Sequence, residues 1–280
     1  MNHGLSIDVE DAYQIVYRNY FHMDIPPSDE VERNTHWFLD TLGEAGVKAT
    51  FFILGNVART YPRLIRRVAD EGHEIGVHGN DHTFIFTMQP EEFRDQIRRA
   101  KRDIENCSGG RVLGHRAPAF SITKASFWAL DILQEEGFLY DSSIYPFKGR
   151  RYGIEDASRT IYRWHNGLCE VPLSCLTLFG KTVPVAGGGY IRHFPYWWTR
   201  YAIKSLEAAG RPAVVYMHPY EFESTYPAYG KLQQPGPLKL KIITVIQARN
   251  RGMSQRKKCR ALLSGFSFIP LRDLIAEHAA

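Results

Sequence analysis

The sequence predicts an α/β fold built on a parallel sheet that closes, or nearly closes, into a barrel. Three observations lead there. Short apolar runs alternate with amphipathic segments along most of the 280 residues, which is the strand-then-helix order that parallel crossovers require. Seven or so such repeats suit a barrel better than an open sheet. Polar residues follow successive apolar runs, at the strand ends where barrels of this kind carry their chemistry. A hydrophobic fraction of 44% is ample for the large core such a fold encloses.

Taken in order, Leu5–Val9 reads as a buried strand. Asp29–Ala45 reads as a helix with Val31, Phe38, Leu39 and Leu42 on one side. Val47–Leu54, rich in β-branched and aromatic residues, is a second strand. Val57–Glu71 is helical and Gly72 ends it. His73–Val77 is a third strand. Pro90 opens the next helix, Glu91 and Glu92 suit its positive end, and Phe93, Ile97, Ala100 and Ile104 form its buried stripe. Val112–Gly114 and Phe138–Tyr140 are short strands on either side of a helix over Ser126–Glu136. Glu170–Leu173 and Ala213–Met217 are later strands, with a helix over Trp197–Ala209 between them. Residues 147–167 look irregular, and Ser224–Pro237 reads as a long loop. One catalytic domain is expected over residues 1–280, with its motifs in 5–220 and a C-terminal extension over 221–280.

The net charge of +5 is mild and reads as a solvated basic surface. Arg249, Arg251, Arg256, Lys257, Lys258 and Arg260 cluster near the C-terminus without a recognised nucleic-acid motif. A solvated helix face or peripheral contact with anionic lipid-linked sugars is expected there, and no nucleic acid. Cys107, Cys169, Cys175 and Cys259 form no Cys-x-x-Cys pair and read as reduced thiols. The first ten residues lack the pattern of a signal peptide, and no window is apolar enough to span a bilayer. These features lead to the expectation of a soluble, cytoplasmic protein. Oligomeric state is left open.

The chemistry gathers just after the strands: Asp8, Glu10 and Asp11, then His78, Asp81 and His82, then Arg116, Asp141 and His218. His78 and His82 stand four apart in His-Gly-Asn-Asp-His. Two imidazoles and one carboxylate make a catalytic type of divalent-metal site with positions left open. Gly79 stands where the zinc-peptidase helix has its glutamate, so that motif is excluded.

On these residues the chain resembles the polysaccharide deacetylase family, the group with the nodulation-type deacetylase homology domain. Asp8-Val-Glu-Asp11, His78-Gly-Asn-Asp-His82, Arg116-Ala-Pro118, Tyr140-Asp-Ser-Ser143 and Tyr216-Met-His218 are similar to its five motifs. Val47–Asn56 matches the segment between the first two. Asp-Val-Glu-Asp, Arg-Ala-Pro-x-Phe-Ser-Ile, Tyr-Asp-Ser-Ser-Ile, Gly187-Gly-Gly-Tyr190 and His218-Pro-Tyr-Glu221 resemble the subgroup found with exopolysaccharide-export loci. The resemblance implies a distorted (β/α)7-type barrel and removal of N-acetyl groups from an N-acetylated amino sugar in a glycan or glycan precursor. It implies one divalent metal ion, zinc first, with Co2+, Ni2+, Fe2+ or Mn2+ also suited to the ligands. His78, His82 and an acid of the first motif would hold it, polarising the acetamide and acidifying water. Asp8 would be the general base, Arg116 would pair with it, and His218 would be the general acid. A backbone N–H near Ala119 would help to stabilise the oxyanion.

Two features depart from the family pattern. Val9 stands where a second aspartate is usual, so the acidic ligand is Glu10 or Asp11, with Glu10 favoured. Ala119 replaces an aromatic. Asp141 either tunes His218 or caps a strand end. Gly188, Gly189 and Tyr190, with Tyr145, are expected to approach the sugar, whereas Trp197 fits a core position. The alternatives are hydrolysis of a non-sugar amide such as a cyclic ureide, or a catalytically silent glycan binder. The second would be signalled by loss of Asp8, His218 or a metal histidine, all of which are present.

Overall fold

The computed structural model describes residues 1–149, 152–185, 187–223 and 249–278. The expected loop over Ser224–Pro237 lies outside them. The strands are β1 (Asn2–Val9), β2 (Thr50–Ile53), β3 (Glu74–Val77), β4 (Gly114–His115), β5 (Tyr140–Asp141), β6 (Tyr162–Arg163), β7 (Cys169–Glu170), β8 (Cys175–Leu178), β9 (Lys181–Pro184), β10 (Val214–Met217) and β11 (Ser267–Ile269). The helices are α1 (Ala12–Val16), α2 (Asp29–Ala45), α3 (Gly55–Thr60), α4 (Pro62–Asp70), α5 (Pro90–Ser108), α6 (Trp128–Glu135), α7 (Gly188–His193), α8 (Tyr196–Ala208), α9 (Met253–Gly265) and α10 (Leu271–His278).

The main sheet runs β10-β1-β2-β3-β4-β5-β7-β6, with β11 also on β1. Its ladders are parallel except for the last, where β6 lies antiparallel to β7. The sheet curls into a half-barrel, the distorted barrel expected. Its open side is spanned through Ser174, whose Oγ accepts the Val214 N–H at 2.7 Å and whose carbonyl accepts that of Val185 at 3.2 Å. The β8–β9 hairpin is a separate two-stranded sheet.

Two apolar layers follow from the period of two along each strand. Leu5, Ile7 and Val9 face outward into the core beneath α2, α5 and α6. On α5 the stripe of Phe93, Ile97, Ala100 and Ile104 is buried as its spacing requires, and each large side chain there contributes roughly 1.5–3 kcal/mol. The inner layer holds Phe52, Phe120, Tyr140 and Tyr216. Gly114 is required by this filling, because a Cβ there would lie 2.3 Å from the Tyr140 hydroxyl. Leu271 and Leu274 of α10 plug the N-terminal end of the strands. The Leu271 and Arg272 amides donate to Thr50 Oγ1 (2.8 Å) and to Glu74 (3.1 Å).

Some boundaries differ from the sequence reading. The helix expected over Val57–Glu71 breaks at Tyr61, because Pro62 has no N–H to continue it and starts a new helix at its first turn. The helix expected from Ser126 begins as a 3-10 turn over Lys124–Ser126. A π-helical turn over Tyr17–Phe21 extends α1 and ends at His22 in the left-handed region; no residue pattern announced it. Trp197 is 66% exposed, so its assignment to the core is wrong. Helix α8 turns Thr199, Ala202, Ile203 and Leu206 inward instead.

Candidate active site

The parallel registers bring distant residues to one level. Val9 pairs with Ile53, Ile53 with Val77, Val77 with His115, and His115 with Asp141, while Ile7 pairs with Met217. The next residues along those strands, Glu10, His78, Arg116, Ser142 and His218, therefore share one rim. Glu10, His78 and His218 of that rim, with Asp8 and His82, line a cavity of about 630 Å3.

Glu10, His78 and His82 are buried, and their donor atoms lie within 4.8 Å of one another. Glu10 Oε2 is 3.1 Å from His78 Nε2 and 2.9 Å from His82 Nε2. His78 donates through Nδ1 to the Arg116 carbonyl at 2.9 Å. That bond fixes the tautomer and leaves Nε2 as the ligand atom. His82 is turned toward Glu10 by a left-handed backbone at φ 68°, a conformation that is uncommon outside glycine. Burial works against charge on Glu10. The neighbouring His82 and His218 hold its pKa well below the usual range. A carboxylate and two imidazoles converging on one open-sided point suit a divalent cation.

Asp11 is not part of this group. It caps α1, accepting the amides of Tyr13 (2.6 Å), Gln14 (3.1 Å) and Ser28 (2.6 Å) and the Ser28 hydroxyl. The acid that converges with the histidines is Glu10.

Asp8 is buried, and its Oδ1 accepts Arg116 Nη1 at 2.7 Å. The guanidinium is itself fully buried and fixed on all sides. Nη1 reaches Ser6 Oγ (2.6 Å), Nε the Ser142 carbonyl (3.0 Å) and Nη2 Ser142 Oγ (2.8 Å), over the Phe52 ring at 4.4 Å. His218 Nε2 lies 3.5 Å from Glu10 and 4.0 Å from Asp8. Its Nδ1 faces Glu221 at 3.5 Å. Tyr220 stacks on the ring at 4.8 Å. Burial opposes charge on this imidazole, but Glu10, Glu221 and Asp8 hold its pKa up at about 9.

The remaining expected residues divide. Ala119, Gly189 and Tyr190 line the cavity. Ala119 is held at φ 50° between the Phe120–Ala117 and Ser121–Pro118 backbone bonds. Gly188 packs against His218 instead. At φ 44° it packs so close that a Cβ would lie 2.8 Å from His218 Cε1. Tyr145 is buried among Phe120, Phe147 and Tyr152 and does not reach the cavity. Asp141 does not contact His218. It accepts the His115 ring at 2.7 Å and the Ser143 amide and hydroxyl, and Ser143 Oγ in turn accepts the Ala117 amide at 2.8 Å. It thus braces the turn that carries Arg116, because Glu221, three residues after His218, already occupies the position beside Nδ1. The basic cluster is largely spent within the chain: Arg251 donates to the Tyr220 carbonyl, Arg256 to that of Phe222, Lys258 to those of Ile191, Arg192 and Phe194, and Arg260 pairs with Glu44.

Sequence reading missed Glu221 as the partner of His218, although a glutamate three residues after the histidine was a usable signal. It also missed the wall formed by Ala12, Ile15, Val16 and Asn19, for which α1 is too short to give a readable pattern.

Residues 22–137 match the polysaccharide deacetylase family, and residues 142–276 match a domain of unknown function, DUF3473. Over 117 residues the chain is 31% identical to a peptidoglycan deacetylase-like protein of Gibberella zeae, covering 42% of this chain and 33% of that protein. It is 38% identical over 71 residues to a peptidoglycan-N-acetylglucosamine deacetylase of Bacillus cereus, 25% of this chain and 26% of that one. A chitooligosaccharide deacetylase of a Bradyrhizobium species is 33% identical over 95 residues, 34% of this chain and 41% of that one. The matches thus span between a quarter and two fifths of these relatives' lengths. The fold is that of a candidate polysaccharide deacetylase from Mycobacterium smegmatis, at TM-score 0.59 and 21% identity over 96% of this chain and 94% of that one. Asp8 and Glu10 precede the first matched segment and His218 lies in the second, so the cavity is assembled from both sides of the boundary. The chain thus matches the polysaccharide deacetylase family over residues 22–137 and, on their C-terminal side, DUF3473 over residues 142–276.

Proposed function

We propose that this protein is a metal-dependent carbohydrate N-deacetylase that removes acetyl groups from an N-acetylated amino sugar in a glycan or glycan precursor. The observation that carries the reading is the convergence, on one cavity, of the Glu10–His78–His82 group with the Asp8 carboxylate and the His218 imidazole beside it. The stretches Asp8–Asp11, Gly187–Tyr190 and His218–Glu221 support membership of the subgroup associated with exopolysaccharide export. Among the described residues no helix is long and apolar enough to cross a membrane, so contact with a lipid-linked substrate would be peripheral.

Glu10, His78 and His82 would hold the metal, with zinc or another first-row divalent ion suited to the ligands; when bound it would supply Lewis acidity toward the acetamide and toward water. The chain's own residues do the rest. Arg116 occupies Asp8 Oδ1 and leaves Oδ2 facing the cavity, where it takes a proton from water as the water oxygen bonds to the acetyl carbon. His218, held by Glu221 and by the Tyr220 ring, gives a proton to the amine nitrogen as the C–N bond breaks. Acetate and a free amino sugar are the products. A cation taking up part of the Glu10 charge would lower the pKa of His218 from about 9.

The test is acetate release from metal-loaded protein on a panel of N-acetylhexosamine oligosaccharides, lipid-linked precursors and a cyclic ureide. Release from the sugars alone, abolished by His78→Ala, is expected. Turnover of the ureide alone, or of nothing by protein holding one metal, would overturn the proposal.

A further inference from the structure

The cavity does not end at Tyr190. His193 and Phe194 line it and lead onto α8, where Trp198 and Tyr201 stand three apart on the helix and Phe194, in the extended link before it, packs on Trp198. Their ring centroids are 5.9 and 5.8 Å apart and their planes tilt by 41° and 33°. Phe194 is 42% exposed, Tyr201 51% and the adjoining Trp197 66%. Trp198, between them, is partly buried against the core, while exposed Phe194, Trp197 and Tyr201 around it mark an interaction surface. The strip is held rigid from beneath. Lys258 Nζ donates to the carbonyls of Ile191 (3.1 Å), Arg192 (2.7 Å) and Phe194 (2.8 Å), and the Tyr196 hydroxyl donates to that of Ala261 at 2.9 Å. A backbone fixed in this way loses little freedom on binding.

We propose that Phe194, Trp198 and Tyr201, flanked by Trp197, form an extended subsite for a glycan chain whose N-acetylated residue occupies the cavity. The inference rests on the deacetylase reading for the cavity and adds a length of substrate to it. Pyranose rings present apolar C–H faces, and aromatic side chains cover such faces while leaving the hydroxyls in water. The successive ring spacing is close to the length of one sugar residue, so a linear chain leaving the cavity past Phe194 meets a ring per residue. Continuity with the cavity favours a glycan over a bilayer, since the strip starts from residues that line both.

The probes are the β-1,4-linked dimer and hexamer of N-acetylglucosamine. The wild-type protein is expected to favour the hexamer in kcat/KM, mainly through KM. Tyr201→Ala and Trp197→Ala are expected to lower the hexamer-to-dimer ratio about tenfold, whereas Phe179→Ala, which removes an exposed aromatic from the β8–β9 turn, should leave it unchanged. Quenching of tryptophan fluorescence by the hexamer separates this proposal from the deacetylase reading. Hexamer binding that weakens about tenfold in Tyr201→Ala supports the subsite even where no acetate is released. Equal hexamer binding by wild type and variants overturns it. So does binding to phosphatidylglycerol–phosphatidylcholine vesicles that the variants lose while hexamer binding is unchanged, which would assign the strip to a membrane surface.

Discussion

Gly188→Ala isolates the placement of His218. The added Cβ would stand 2.8 Å from His218 Cε1, whereas carbon atoms in contact settle at about 3.5–4.0 Å. The ring must therefore retreat by about 0.7–1.2 Å. A displacement of about 1 Å at a reacting group costs on the order of 100-fold in rate. The left-handed backbone at φ 44° adds about 1–2 kcal/mol of strain with any Cβ, or a few degrees in melting temperature. Gly180→Ala is the control, because Gly180 has φ 73° and no atom within 4 Å of its Cβ position, so it carries the strain without the contact. Acetate release, metal content and thermal melts on both variants decide the matter. The expected result is a kcat about 100-fold lower in Gly188→Ala at full metal content, with Gly180→Ala near wild type. A Gly188→Ala protein within about threefold of wild-type kcat, or one that has lost its metal, would refute this role for Gly188 in placing His218.

Three further outcomes rest on buried groups. Asp11→Ala should retain the metal but lose about 2 kcal/mol of stability, as the cap of α1 is removed; metal titration showing the site lost in Asp11→Ala and intact in Glu10→Gln would reverse the ligand assignment. Arg116→Met should cost about 3–5 kcal/mol in urea unfolding by stranding the Asp8 carboxylate, and much less in an Asp8→Asn background; equal costs in the two backgrounds would show that the pair is not coupled. His73 accepts the Ala49 amide at 3.2 Å, and burial, aided by Lys48, pushes its pKa down from 6.5 to about 4. Between those values the unfolded chain binds the extra proton, so the stability that neutral His73 provides is full above pH 6.5 and lost as pH falls toward 4, by up to about 3 kcal/mol. His73→Asn keeps an acceptor without the titration, and a stability difference from wild type that stays constant from pH 4 to 7 would contradict this.

The parts of this structure legible in the sequence are those fixed by local chemistry. The α5 stripe, the strand before His78 and the buried run ending at Asp8 each carry a period or a breaker that determines the element. The two histidines and Glu10 could be read because metal ligands must be those residue types near strand ends. Partnership across the barrel was not legible. Asp141 and Glu221 are both acids near the rim, and only the fold shows that the first is consumed by His115 and Ser143 while the second faces His218. Trp197 illustrates the same limit in reverse. Its type suggested burial, but the helix phase that buries Thr199 and Ala202 turns it into solvent. Tyr145 was expected to reach the sugar because it lies just beyond the fourth motif, yet two residues past Ser143 the chain has already turned into the inner layer.

Whether Asp8 moves the proton while Glu10, His78 and His82 hold the metal is decided by metal content and acetate release measured together on wild type and Asp8→Asn, with an N-acetylglucosamine oligomer as substrate. One divalent ion is expected in each protein, with release by the wild type only. Release by Asp8→Asn at near the wild-type rate, or no release by a wild-type protein carrying its metal, would contradict that division of roles.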